Sequence, residues 1–227
     1  MSAVALIGGT GRSGPALAQR LSLAGTAVVI GSRDADRAAT TAVELTGRLA
    51  EHGGGAPISG VDNATAVTRC GMAVVTVPFE AQAAVLRELE PALRGRIVVS
   101  TAIPVSFDPH LGPVAIAVEE GSASEQVASL LPGSRVVGAL HTVSNVHLAR
   151  LQRHLDEDVL VTGDDGDAKA TVIRLIESIA GLRAIDAGRL ANSAHCEHLT
   201  VILLTVNRHI KRSVGIRLTN LTAPAAP

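Results

Sequence analysis

The chain has 227 residues, enough for one large α/β domain or for a nucleotide domain with a smaller appendage. It is 47% hydrophobic but only 1% aromatic, with two Phe and no Trp or Tyr, so Ala, Val, Leu and Ile must build the core, a set that suits a sheet covered on both faces by close-packed helices. Lys and Arg total 20 against 21 Asp and Glu, a formal charge of -1 that argues against nucleic acid held by bulk electrostatics; no apolar run nears the ~20 residues of a membrane span, and the start lacks a charged signal region, so a cytoplasmic location is expected.

The first apolar run, Ala3 to Ile7, reads as a strand. It leads into Gly8-Gly9-Thr10-Gly11-Arg12-Ser13-Gly14 and then a helix from Ser13 to Ala24. Gly9 to Gly14 is a G-x-G-x-x-G turn in strand–turn–helix context, where glycines permit a tight turn, close approach to a pyrophosphate and close helix packing. The free amides at the helix start then face the phosphates.

The second strand, Ala27 to Ile30, ends at Gly31-Ser32-Arg33, before a helix from Asp34 to Glu51. An Asp or Glu about 20 residues beyond the last glycine would bind the ribose 2′-hydroxyl of NAD. Here Ser32, Arg33 and Arg37 stand instead, a set that suits a 2′-phosphate, so NADP is the expected dinucleotide. Asp34 reads as the cap of its helix.

A weaker strand, Ile58 to Val61, and a short helix, Ala64 to Arg69, come next. Strands at Met72 to Val77, Ile97 to Ser100 and Arg135 to Leu140 then alternate with helices at Glu80 to Leu93 and Ser122 to Leu131, the order of a doubly wound, Rossmann-type parallel sheet. Beyond it lie a strand at Asp158 to Val161, a helix at Asp167 to Ala180, a strand at Leu182 to Asp186 and a long helix from Arg189 to Arg212. We therefore expect an NADP-binding Rossmann domain over residues 1–156 and a small C-terminal α/β domain over 157–227. The last helix is apolar on almost every side from Leu199 to Val206. It therefore wants partners on both flanks, either the Rossmann domain and a second subunit, as in a homodimer, or the interior of one compact chain. Ala223 to Pro227 reads as disordered.

Cys70 and Cys196 are isolated, which suggests neither a disulfide framework nor a zinc site. His195 and His198 share a helix face at i and i+3, but no third ligand accompanies them and no metal is expected. The GGTGxxG start also resembles the extended short-chain dehydrogenases, whose tyrosine proton donor this chain lacks.

Motifs along the whole length resemble the NADPH-dependent F420 reductases. They include Ala5-Leu6-Ile7-Gly8-Gly9-Thr10-Gly11, Gly31-Ser32-Arg33, Val75-Thr76-Val77-Pro78-Phe79, Val137-Gly138-Ala139-Leu140-His141-Thr142, Gly163-Asp164-Asp165, Asp186-Ala187-Gly188 and Gly215-Ile216-Arg217. The resemblance implies hydride transfer between NADP(H) and the deazaflavin coenzyme F420, two stacked rings whose reaction needs orientation more than a side-chain acid or nucleophile. It implies that Thr10, Gly11, Arg12 and Ser13, within the cofactor-binding turn from Gly9 to Gly14, hold the pyrophosphate and Ser32, Arg33 and Arg37 the 2′-phosphate. Thr76, Pro78 and Phe79 would hold the ribose side and the approach to the nicotinamide, while His141, Val143 and Asn145 would line the meeting place of the rings.

His141, at the exit of a strand, is either a hydrogen-bond donor to the deazaflavin or a structural cap. After Val143 the family usually has Pro and small residues, whereas this chain has Ser144-Asn145-Val146-His147. The alternatives are therefore an NADPH-dependent reductase of a small imine or carbonyl, and a non-catalytic NADPH sensor. Arg208, His209, Lys211 and Arg212 form a basic cluster that would attract the coenzyme's anionic phospholactyl-glutamyl tail, or simply complement a helix C-terminus.

Overall fold

The computed structural model describes residues 3–221; the Ala223 to Pro227 tail lies outside them. In chain order the elements are β1 (Val4–Ile7), α1 (Gly14–Leu23), β2 (Val28–Ser32), α2 (Ala35–Ala50), β3 (Ile58–Asp62), α3 (Asn63–Arg69), β4 (Met72–Val75), α4 (Phe79–Leu93) and β5 (Ile97–Ser100). A small hairpin follows, β6 (Val105–Asp108) and β7 (Gly112–Ala115), then α5 (Ala123–Leu130), β8 (Arg135–Gly138) and α6 (Asn145–Ala149). The chain continues through β9 (Glu157–Gly163), α7 (Gly166–Glu177), β10 (Leu182–Asp186), a 3-10 turn at Leu190–Asn192 and α8 (Ser193–Ile210).

Eight strands form one sheet in the order β10-β9-β8-β5-β4-β1-β2-β3. From β3 to β8 every pairing is parallel, the expected doubly wound arrangement, with its crossover between β1 and β4. β9 turns against β8 in antiparallel register, Val137 opposite Gly163, and β10 runs parallel to β9. The segment beyond residue 156 thus adds its two strands to the same sheet.

β1, β4 and β5 are buried at every position, the continuous apolar pattern of strands covered on both faces. One face packs on Leu17 and Leu21 of α1, Leu45 of α2 and Val172 and Ile176 of α7. The other packs on Ala66 and Val67 of α3, Leu86, Leu89 and Leu93 of α4 and Val127 of α5. Aliphatic side chains this short bring helices close to the sheet, and at Gly60 of β3 a Cβ would fall on the backbone carbonyl of Ala38 in α2. Side-chain caps start α2, α3, α5 and α7, with Asp34, Asp62, Ser122 and Asp165 each accepting from the backbone N–H three residues on.

Several element bounds differ from the sequence expectation. Strands read as Met72 to Val77 and Arg135 to Leu140 stop at Val75 and Gly138, where the chain leaves the sheet to build the ligand edge. The β6–β7 hairpin and α6 add to the expected elements, because the hairpin strands have four residues each, mostly half-buried or exposed, and α6 has only five residues. The long helix begins at Ser193 rather than Arg189 and ends at Ile210, where Lys211 adopts a left-handed φ of 54°.

The residues after α8 return along β9. Asp158 N–H donates to the Ile216 carbonyl at 2.8 Å. The buried Asp158 carboxylate accepts from Arg183 at 2.8 and 2.7 Å, from Arg217 at 3.0 Å and from the Leu218 N–H at 2.6 Å. Burial pushes this carboxyl up, but the bonds from Arg183 and Leu218 and the two guanidinium charges outweigh it and hold it below the usual range.

Gly60→Ala is expected to lever α2 off β3 at a cost of about 1–3 kcal/mol, a fall in thermal midpoint of roughly 3–10 °C. An unchanged midpoint by calorimetry would contradict the close helix–sheet approach.

Candidate functional site

The candidate residues gather at or beyond the ends of β1, β2, β4 and β8, at one edge of the sheet. The turn after β1 folds tightly, with Gly9 N–H donating to Leu6 O at 3.1 Å and Gly31 O at 2.8 Å, and Gly11 N–H to Gly8 O at 2.9 Å. Gly8 has a φ of +71°, and a Cβ there would strike Val77 Cγ1. A Cβ on Gly14 would strike the Gly9 backbone, so the start of α1 sits on the turn itself. No side chain caps α1, which leaves its first amides facing the edge of the sheet. Ser13, at the cap position, instead accepts a 2.8 Å bond from Asn145 Nδ2.

Thr10 Oγ1 donates to Ser32 Oγ at 3.3 Å, and the Arg37 guanidinium reaches the Thr10 carbonyl at 3.5 Å. Asp34 is committed as the helix cap, accepting from Arg37 N–H at 3.0 Å. Arg33 and Arg37 are exposed and have no carboxylate partner among the described residues. A cleft of about 570 Å³ runs over this surface, lined by Thr10, Gly11, Ser32, Arg33, Arg37, Thr76 and Pro78 among others. Asn63, the first residue of α3, joins them unforeseen. Its Oδ1 accepts the Gly8 N–H at 3.1 Å and so fixes the turn from outside the motif.

Thr76, whose hydroxyl donates to Ile7 O at 2.9 Å, also lines a second, inner cavity of about 60 Å³. Ser13, His141, Val143 and Asn145 line it too, with Leu17, Thr101, Ile103, Leu140 and Leu148. The structure thus brings most of the expected residues into two adjoining cavities. Gly9 and Gly14 lie beneath them as backbone spacers. Arg12 is exposed and Phe79 half-buried at the start of α4, and neither lines either cavity.

Leu140 precedes His141 with a φ of +66°, a left-handed conformation that costs a residue with a side chain about 1–2 kcal/mol. That turn drives His141 inward to 3% exposure. Both ring nitrogens lack a hydrogen-bond partner, and Nε2 lies 3.8 Å from Glu197 Oε1, too far for a hydrogen bond. Burial lowers the His141 pKa to about 4.

Glu197 is itself buried, held by the N–H groups of Ala123 at 2.9 Å and Ser124 at 3.1 Å and by the Ser124 hydroxyl at 3.0 Å. Its carboxyl is pushed up by burial against the pull of those bonds. The run His195-Cys196-Glu197-His198 draws attention to its histidines, yet both are exposed, and the residue turned inward is Glu197. Cys70 and Cys196 are buried thiols whose pKa burial raises. Among the described residues no group of three or more His, Cys, Asp or Glu is placed to hold a metal ion, and no helix is long and apolar enough to cross a membrane.

The unfolded chain protonates His141 below its ordinary value of 6.5, the folded chain only below about 4. Its contribution to stability is therefore full above pH 6.5 and falls by about 1.4 kcal/mol per pH unit between those limits. His141→Gln should lose about 2 kcal/mol less than the wild type between pH 6.5 and pH 5 in urea unfolding. Equal slopes would contradict a buried neutral ring.

Residues 3–104 match the family described as NADP oxidoreductase, coenzyme F420-dependent. The chain is similar to the F420-dependent NADP reductase of Methanothermobacter marburgensis, 37% identical over 224 residues, covering 96% of this chain and 98% of the relative. That of Methanocaldococcus jannaschii is 34% identical over 220 residues, covering 96% and 98%. Among solved structures, a candidate F420-dependent NADP reductase from Arthrobacter sp. FB24 superposes with a TM-score of 0.78 at 25% identity, over 96% of this chain and 100% of that one.

Proposed function

The chain belongs to the family of F420-dependent NADP reductases, and from that premise we propose that it transfers a hydride reversibly between NADP(H) and coenzyme F420. The observation that carries the reading is the pair of adjoining cavities that meet at Thr76. The residues present fit a dinucleotide: the Gly8 and Gly14 positions admit no side chain, and Ser32, Arg33 and Arg37 offer a hydroxyl and two unpaired guanidiniums. The coenzymes supply the redox chemistry, hydride passing between nicotinamide C4 and deazaflavin C5 with a proton exchanged at the deazaflavin N1.

The chain's own residues bind and orient. The amides of Thr10 to Ser13 take the pyrophosphate at the start of α1, and Ser32, Arg33 and Arg37 take the 2′-phosphate. Thr76 lines both cavities and Pro78 the outer cleft, and Asn145, tied to Ser13, would meet the carboxamide side of the nicotinamide. His141 offers the inner cavity a neutral ring whose nitrogens are free to bond a ligand.

Residues 1–156 form the dinucleotide domain and 157–227 the small C-terminal domain, whose Glu197 stands behind His141. The outer face of α8 shows Ile202, Val206 and Ile210 at 59%, 37% and 49% exposure beside the exposed Phe107 and Leu111, and a second copy of the chain covers it in a homodimer. A cytoplasmic enzyme follows from two diffusible coenzymes. The inner cavity, about 60 Å³, is small for a tricyclic ring, and this observation supports a second reading, reduction of a small imine or carbonyl by NADPH.

Mixing the protein with NADPH and oxidised F420 should bleach the deazaflavin's visible band at a catalytic rate; tight NADPH binding without bleaching excludes the first reading. Arg33→Ala should weaken NADPH about tenfold or more and NADH little. Equal losses would show that Arg33 does not read the 2′-phosphate.

A further inference from the structure

A third concavity, of about 900 Å³, opens between the ends of α6 and α8, with Arg150, Arg153, Lys211 and Arg212 on its walls beside Asn207 and Ser213. All four cations are exposed, and none has a carboxylate partner among the described residues. Other cations lie on carboxylates, as Arg183 and Arg217 do on Asp158, Lys169 on Asp186 and Arg94 on Glu90, and Arg33 and Arg37, which do not, line the candidate dinucleotide cleft. Four like charges gathered on one cleft repel one another unless an anion lies among them.

Helix ends do not account for the cluster. The carbonyls that end α6 and its following turn, those of His147, Leu148, Arg150 and Arg153, are satisfied by the Arg20 guanidinium at 3.3, 3.0, 2.7 and 3.1 Å. The last turn of α8 has Arg208 and His209, and Asn207 Oδ1 accepts the Val214 N–H at 2.8 Å, so the chain folds back past the helix end. Arg208, grouped with the cluster in the sequence, packs against Gly112 of the hairpin instead. The two cation pairs come from segments about 60 residues apart in sequence, held together by the 2.6 Å contact of the Ser144 and Ser213 hydroxyls. α6 is also the wall shared with the candidate site. Asn145 and Leu148 line the inner cavity, and Val146 and His147 line the cleft.

We propose that this cleft binds a flexible ligand segment bearing two or more phosphate or carboxylate groups, which the guanidiniums of Arg150, Arg153 and Arg212 and the Lys211 ammonium engage directly. The segment is either the anionic arm of a co-substrate seated in the inner cavity, in which case the assignment rests on the hydride-transfer reading, or a free polyanion.

Titration calorimetry of the full chain at low salt, with tetraglutamate and with inorganic phosphate as probes, tests the cleft without turnover. The wild type should bind them, more weakly as salt rises. Affinity should fall about tenfold or more in Arg150→Gln/Arg153→Gln and in Lys211→Gln/Arg212→Gln, while NADPH affinity stays constant as the control for folding. No binding by the wild type, or equal binding by the variants, overturns the proposal.

Turnover then separates the sources. A higher KM for F420 in the variants, with no change for the deazaflavin riboside that lacks phosphate and glutamyl groups, assigns the cleft to the co-substrate arm. Unchanged KM for both, with the calorimetric loss retained, assigns it to a free polyanion. An equal rise for both marks a structural disturbance and overturns the co-substrate assignment. Should no deazaflavin be reduced, the hydride-transfer reading fails, and the calorimetry still decides the cleft.

Discussion

Arg20 ties the molecule together. It lies within α1 at 8% exposure, and its guanidinium donates to four carbonyls between His147 and Arg153. Four acceptors on one buried cation are charge-assisted bonds that water cannot readily replace, and losing the cation would leave those carbonyls orphaned. Because α1 also begins at the glycine turn, the segment that follows β8 is anchored to the helix whose start faces the phosphates. At its other end the same segment reaches back through Asn145 to Ser13. The two cavities are therefore registered to each other through one rigid helix.

A second chain of constraints runs from β8 to α8. The left-handed turn at Leu140 turns His141 into the protein, the Thr200 hydroxyl holds the His141 carbonyl at 2.9 Å, and Glu197 is held against the first amides of α5. The first half of α8 thus stands behind His141, which lines the inner cavity. Its second half, from Ile202 to Ile210, emerges with apolar residues facing outward. The apolarity that marks this helix in the sequence has two causes, burial against the Rossmann face early and an unpartnered surface late.

What the sequence made legible was local. The glycine turn between β1 and α1, and the Ser32–Arg33 pair, Arg37 and the capping role of Asp34 between β2 and α2, each depend on residues within a single strand–turn–helix unit, whose geometry a motif can encode. What stayed hidden depends on distance along the chain. Asn63 meets Gly8 across 55 residues, Glu197 meets Ala123 across 74, and Arg20 meets the α6 segment across 127 to 133. Nothing in the spacing of those residues announces such contacts. Arg12 and Phe79 illustrate the converse, since both belong to motifs of the sequence, yet neither lines either cavity. The β6–β7 hairpin and α6 were too short to impose a period on the sequence.

The aliphatic core has an optical consequence. With no Trp and no Tyr in the chain and only two Phe, the protein has no indole or phenol chromophore, so it is almost dark in the near ultraviolet. Absorbance and fluorescence from bound nicotinamide or deazaflavin rings stand against an empty background, with neither inner-filter loss nor energy transfer from aromatic side chains. The packing that lets α2 and α1 lie so close to the sheet therefore also makes the bound ring its own reporter, and the usual measure of protein concentration by ultraviolet absorbance has nothing to read.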